Sequence, residues 1–146
     1  MLKGLDPLLT PKLLMHLSAM GHGKWVALAD GNFNANFLSY GKPVVRLPGH
    51  SLGRVSQAVL SVIPLADDVA QLAAYMRVCQ QTPEHRMPAH QAVADLLALE
   101  GLPGARFEGV KCYAFYDKIE GASLIIQSGE ATAYGNAMFC KGVILN

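Results

Sequence analysis

The chain has 146 residues, with 12 Lys and Arg against 11 Asp and Glu for a formal net charge of +1, which excludes the basic footprint of a nucleic-acid binder and any acidic tail. Hydrophobic residues make up 51% and charged residues 16%, below the roughly 25% charged of average soluble domains; the length fits one domain spanning residues 1–146, and the low charge points to oligomeric interfaces. Cys79, Cys112 and Cys140 are odd in number and widely spaced, and neither a signal-peptide h-region nor a long apolar run is present, so the expectation is a cytoplasmic protein with no disulfide framework, no zinc knuckle and no membrane segment.

In chain order, Thr10 and Pro11 followed by Leu13, Leu14, Leu17 and Met20 predict a helix, with Thr as N-cap, Pro at the first position and Gly21 as the stop. Trp25 to Ala29 is a short apolar run bounded by Gly23 and Asp30-Gly31, the pattern of a buried strand. Gly31 to Tyr40 carries three asparagines and no period, and reads as a loop. Pro43 to Leu47 is a second strand. Ser51 can cap a helix whose apolar positions Leu52, Val55, Ala58, Val59, Val62 and Ile63 recur at helical spacing until Pro64. Val69 to Val78 fits helix or strand, with the balance toward strand, and Pro88 to Leu99 is helical up to Gly101. Lys111 to Ile119 reads as an irregular or short helical piece, followed by a strand at Ala122 to Ser128, a turn around Tyr134-Gly135-Asn136 and a last strand at Ala137 to Ile144. The last two strands can pair as a hairpin, so the expectation is a three-layer α/β/α sandwich with a mixed sheet. Ligands of such sheets gather outside the carboxyl ends of strands, which points to Asp30 and the segment after it.

Among motifs, Gly49-His50-Ser51-Leu52-Gly53 matches the G-x-S-x-G nucleophile elbow and lies between a predicted strand and a predicted helix. Pro48 is awkward in that turn, and His85 or His90 would have to act as base, so an ordinary N-cap role for Ser51 is the simpler reading. His85 and His90 are five apart, off the spacing of a shared metal on one helix face, and no Gly-rich segment has phosphate-loop spacing. His22 sits between a helix end and a strand start among small neighbours, and an imidazole's ordinary pKa near 6.5 suits proton transfer at neutrality. Spacing alone leaves open whether His22 is an acid or an ordinary loop histidine, and whether Asp30 stands at the same end of the sheet.

Met1-Leu2-Lys3, Pro7-Leu8-Leu9, Pro11, Leu13-Leu14, Met20-Gly21-His22-Gly23, Asp30, Phe33, Tyr113-Ala114-Phe115-Tyr116, Ser128-Gly129-Glu130, Tyr134-Gly135-Asn136 and Lys141-Gly142-Val143 together resemble the L-fucose mutarotase family, which shares its fold with the D-ribose pyranases. The resemblance runs over essentially the whole chain. It implies a cofactor-free enzyme, with no metal, that interconverts anomers or ring forms of L-fucose or a related monosaccharide. It also implies that His22 is the proton donor, that Asp30, Tyr134, Gly135 and Asn136 hold the sugar with Tyr116 able to cover an apolar sugar face, and that the protein forms a ring-like homo-oligomer, often a decamer, with sites near subunit boundaries.

Opening a hemiacetal needs a proton delivered to the ring oxygen while another leaves the anomeric hydroxyl, and closure reverses both transfers. The chain departs from the family pattern at two places. Cys112 stands where fucose mutarotases usually carry Arg, and a thiol lacks the donor fork of a guanidinium, so that binding role is not carried over. The segment after the aspartate reads Asp30-Gly31-Asn32-Phe33-Asn34, without the family's second histidine. Competing readings are a sugar-binding protein of the same fold without turnover, a serine hydrolase using Ser51, and a structural oligomer with no ligand.

Overall fold

The apolar run Trp25–Ala29 forms β1, and its alternation sorts the whole molecule into layers. The computed structural model describes residues 1–102 and 106–146. Among these the chain runs α1 (Pro11–Ala19), β1, α2 (Ala35–Leu38), β2 (Val44–Leu47), α3 (Leu52–Leu60), β3 (Ala73–Met76), α4 (Pro88–Leu99), β4 (Phe107–Val110), α5 (Cys112–Glu120), β5 (Leu124–Ser128) and β6 (Ala137–Cys140). The strands form one sheet in the order β2-β5-β1-β6-β3-β4. β6 is antiparallel to both β1 and β3, while the other neighbours pair in parallel. The mixed sheet expected from the sequence is therefore present.

Side chains on successive strand positions face opposite sides of the sheet. Val26 and Leu28 of β1, Leu124 and Ile126 of β5 and Phe139 of β6 join one core with residues of α1, α3 and α4. Ala27, Ala29, Ile125 and Met138 join the other with Phe115 and Ile119 of α5 and Ala35 of α2. This is the three-layer arrangement. The helix ends are built as their sequences suggest: Thr10 Oγ1 accepts from the Leu13 amide at 3.3 Å, and Pro11 opens α1. At the far end Lys141 Nζ donates to the carbonyls of Leu17 and Met20 at 2.8 and 2.7 Å, placing a cation at the negative end of the helix.

Several local expectations need correction. The last two strands do not form a hairpin: β1 lies between β5 and β6. β6 is buried on both faces, so its apolar side chains belong in the interior of the sheet, and the connection after β5 crosses the end of β1, where the Gly31 amide donates to Glu130 O at 2.8 Å. The segment 31–40 is not all loop, because Ala35–Leu38 makes a single helical turn, too short to show a period. The strand β4 was not expected; it is four residues long, at the sheet edge, and only Phe107 is buried. The helix over Leu52 stops at Leu60, where Ser61 O–H donates to Ala58 O at 2.7 Å. The last strand stops at Cys140, leaving Val143 and Ile144 exposed. The open choice at Val69 to Val78 resolves as strand, over Ala73–Met76.

Candidate active site

Because β6 runs against its neighbours, its first residues meet the carboxyl ends of β1 and β3. Asp30 follows β1 and Asn136 precedes β6, 6% and 1% exposed. The two lock together: the Asp30 amide donates to Asn136 Oδ1 at 2.8 Å, and Asn136 Nδ2 donates to Asp30 Oδ2 at 3.0 Å. Asp30 Oδ1 accepts from the Asn32 amide at 2.9 Å, and Asn136 O accepts from the Met76 amide at 3.1 Å. Each carboxylate oxygen can accept more than one hydrogen bond, so Asp30 keeps acceptor capacity beyond the partners it already has. Burial pushes the Asp30 carboxyl above the usual aspartate range, against the lowering hydrogen bonds from Asn32 and Asn136.

The loop 129–136 is fastened on three sides. Glu130 Oε2 accepts from the Leu52 amide at 3.1 Å and its Oε1 from the Thr132 amide at 3.0 Å. Burial alone would raise this carboxyl, but the Thr132, Leu52 and Ala131 groups together hold it low. Gly129 has to be glycine, since a Cβ there would lie 2.4 Å from the Gly49 nitrogen. Gly135 is similarly required, its virtual Cβ standing 2.8 Å from Thr132 O; it is a buried packing point beside Asp30. Gln127 Nε2 reaches the carbonyls of Asp30, Gly31 and Phe33 at 3.3, 3.3 and 2.9 Å and ties down the segment after β1.

Aromatic side chains flank the polar pair. Tyr116 and Phe33 lie with ring centroids 6.0 Å apart, and Tyr113 meets Tyr116 edge-on at 6.2 Å. Hydrogen bonding to Cys112, together with burial, pushes the Tyr116 phenol up to about 12, and the Cys79 thiol beside Tyr134 raises that phenol also. Both therefore stay protonated and able to donate near neutrality. Cys79 and Cys112 line one cavity of about 240 Å³ with Arg77, Lys111 and Tyr113. Gln127 and Glu130 act through contacts with residues far along the chain: Glu130 stands in the Ser128-Gly129-Glu130 segment of the resemblance with no role assigned to it there, and nothing local signals Gln127.

His22 lies elsewhere. It precedes β1 whereas Asp30 follows it, and five strand residues at about 3.3 Å each separate the two ends by ~16 Å. Its Nε2 pairs with Asp68 Oδ2 at 3.0 Å, with side chains 46% and 54% exposed, and the bond to His22 holds the Asp68 carboxyl low. The structure thus brings Asp30, Gly135, Asn136, Tyr134 and Tyr116 together at the end of the sheet where β1 finishes and leaves His22 at the opposite end of that strand. Ser51 is an N-cap: its Oγ accepts from the Arg54 amide at 3.2 Å at the start of α3. Among the described residues no three His, Cys, Asp or Glu side chains are placed to hold a metal ion, and no helix is long and apolar enough to cross a membrane.

The model of the RbsD / FucU transport protein family matches residues 3–144. A fucose mutarotase from Danio rerio is 34% identical over 146 residues, covering 98% of this chain and 94% of the relative. The crystal structure of FucU from Bifidobacterium longum superposes with a TM-score of 0.90 at 33% identity, covering 98% of this chain and all of that one. The fucose mutarotase of Streptococcus pneumoniae, solved with L-fucose, shares the fold with a TM-score of 0.88 at 24% identity, over 99% of this chain and 100% of that chain.

Proposed function

From membership of the RbsD / FucU family, to which this chain belongs over residues 3–144, we infer that the protein is a sugar mutarotase, an isomerase that interconverts the anomers of a fucose-like monosaccharide. The observation that carries this beyond kinship is the buried Asp30–Asn136 pair at the carboxyl end of β1, with Tyr116, Tyr134 and Phe33 about it. A carboxylate and an amide fixed against each other are preorganised to take hydroxyl hydrogen bonds, and aromatic faces suit the apolar side of a sugar.

In our reading Asp30 and Asn136 hold the sugar hydroxyls, the backbone at Gly135 sets the floor of the site, and the Tyr134 and Tyr116 hydroxyls donate to sugar oxygens. His22 delivers a proton to the ring oxygen while the anomeric hydroxyl gives its own to solvent water; the C1–O5 bond breaks to the open-chain aldehyde, which turns about C1–C2 and recloses as water returns a proton to O1 and the ring oxygen returns its proton to His22. No proton is gained or lost over the cycle. One copy of the chain separates His22 from Asp30 by the length of β1, so the proposal includes a homo-oligomer in which His22 of one copy faces the Asp30 site of another. A ring of the decamer type meets that need. Exposed Phe37 on α2 and Tyr113 on α5 support subunit contacts. The unpaired Cys79, Cys112 and Cys140 support a reducing, cytoplasmic setting.

The test is saturation-transfer proton NMR of L-fucose at anomeric equilibrium, repeated with D-ribose and L-rhamnose. Exchange between α and β signals should rise with wild-type protein and fall by about a hundredfold with His22→Ala. Unchanged exchange for every sugar would end the mutarotase reading.

A further inference from the structure

His90 is fully buried, and the chemistry above makes no use of it. It sits in the first turn of α4, and both ring nitrogens are engaged: Nδ1 accepts from the Met87 amide at 3.2 Å, and Nε2 lies 2.7 Å from Tyr134 O. A backbone N–H can only donate, so Nδ1 carries no proton; a carbonyl can only accept, so Nε2 does. The ring is thus the neutral Nε2–H tautomer. The ring packs against Tyr75, tilted by 40° with centroids 4.7 Å apart, and the Arg86 guanidinium lies 5.4 Å from the Tyr75 centroid. Desolvation by burial agrees with neutrality by pushing the imidazole below its ordinary value; the backbone bond to Tyr134 works against it, Arg86 and His85 add to it, and Glu130 weakly opposes it.

What His90 grips matters more than how it is held. Tyr134 has φ of +64°, a left-handed conformation that a residue with a Cβ keeps only where its surroundings impose it. The Tyr134 carbonyl accepts from His90 and also from the Asn136 amide at 2.7 Å. The Asn136 side chain then fixes Asp30. A chain of direct contacts therefore runs from α4 through one carbonyl to the polar pair.

We propose that His90 is a positioning residue for the sugar site, its Nε2–H holding the Tyr134 carbonyl so that the Tyr134 ring and the Asn136 amide stand where the sugar needs them. This rests on the mutarotase reading, and two substitutions divide the ring's two bonds. His90→Gln can place an N–H where Nε2 was and keeps the grip on Tyr134 while losing the acceptor for Met87. His90→Asn can place an oxygen where Nδ1 was and keeps the helix cap while dropping Tyr134. A role confined to capping α4 makes the Gln variant the more damaged.

Positioning predicts the reverse order: His90→Asn raises KM for L-fucose about tenfold, the scale of one lost hydrogen bond, while His90→Gln stays within about threefold of wild type in KM and kcat. Hydrogen exchange gives a readout free of activity, with the Asp30 and Asn136 amides exchanging faster in the Asn variant and near wild-type rates in the Gln variant. In wild-type protein, nitrogen NMR should show the Nε2–H tautomer and a through-hydrogen-bond coupling to the Tyr134 carbonyl, which needs no variant to fold. An Nδ1–H tautomer, kinetics in His90→Asn within about twofold of wild type, or equal damage in both variants overturns the proposal. If wild-type protein fails to exchange sugar anomers, the functional reading falls, and the order of amide exchange still decides whether His90 holds the loop.

Discussion

The two ends of β1 are built on opposite principles. At the carboxyl end Asp30 is buried, and its side chain is set by Asn136 and Asn32 while Gln127 and Glu130 hold the segments around it. At the amino end His22 is half exposed and has one ion pair, to Asp68. A polar pair held by fixed partners gains from rigidity, because fixed dipoles need no reorganisation when a ligand arrives. A surface histidine with one exposed partner is free to turn toward whatever approaches it, and only the approach of another molecule can bring it out of bulk water.

The contrast can be broken by experiment. The largest effect should come from Asp30→Ala, which takes away the carboxylate and leaves Asn136 Nδ2 without its main acceptor. Anomer exchange should fall by about a thousandfold or more, and urea unfolding should show a loss of about 1–3 kcal/mol. His22→Ala should lower exchange by about a hundredfold with the melting temperature within about 1 °C of wild type, as expected of a mostly exposed side chain. Refolding His22→Ala together with Asp30→Ala should then restore activity that neither variant has alone, because mixed oligomers contain intact sites. Mixtures that stay inactive would show that the two ends of β1 do not meet across a subunit boundary.

Acid should separate the ends more gently. Burial raises the Asp30 carboxyl, so sugar binding should fade at a pH above the ordinary aspartate value of about 3.9. The sign for stability is opposite: a raised pKa favours the fold at low pH, and that contribution disappears as pH rises through the folded value. Glu130 and Asp6 are held low, so their contributions are present above their unfolded values and vanish as pH falls through the folded ones. Activity should therefore be lost before the fold as pH drops, which parallel titrations by NMR exchange and circular dichroism will check. The smallest effect is a control remote from the polar pair. Arg54 donates twice to Asp6 at 2.7 Å, but its side chain is 37% exposed. Solvent screening leaves Asp6→Asn a cost of about 0.5 kcal/mol by urea unfolding, with exchange unchanged.

Legibility in the sequence followed how local each cause was. Caps and buried strands announce themselves within a few residues: Thr10-Pro11, Ser51 and Trp25 to Ala29 act as their neighbours suggest. The placement of β6 does not, because strand partners are chosen by burial on two faces and by a crossing loop, neither of which is written in the turn at Tyr134. Asp30 was found by its place after a strand. Asn136 became a member of the site through resemblance, and its bond to Asp30 spans 106 positions of sequence. The separation of His22 from Asp30 follows from the strand between them, a geometric fact once that strand is granted.

The antiparallel strand that completes the polar pair is also the last of this sheet's strands in chain order, yet it stands fourth in a row of six. Without β6, β2-β5-β1 and β3-β4 would be two separate part-sheets, each with an open edge that β6 covers. A chain that has not seated β6 would carry unpaired backbone groups on both sides of a gap. Closure through long-range pairing is slow, and open edges invite association between chains. The same pairing sets Asn136 against Asp30, so a chain that has not seated β6 lacks the assembled polar pair.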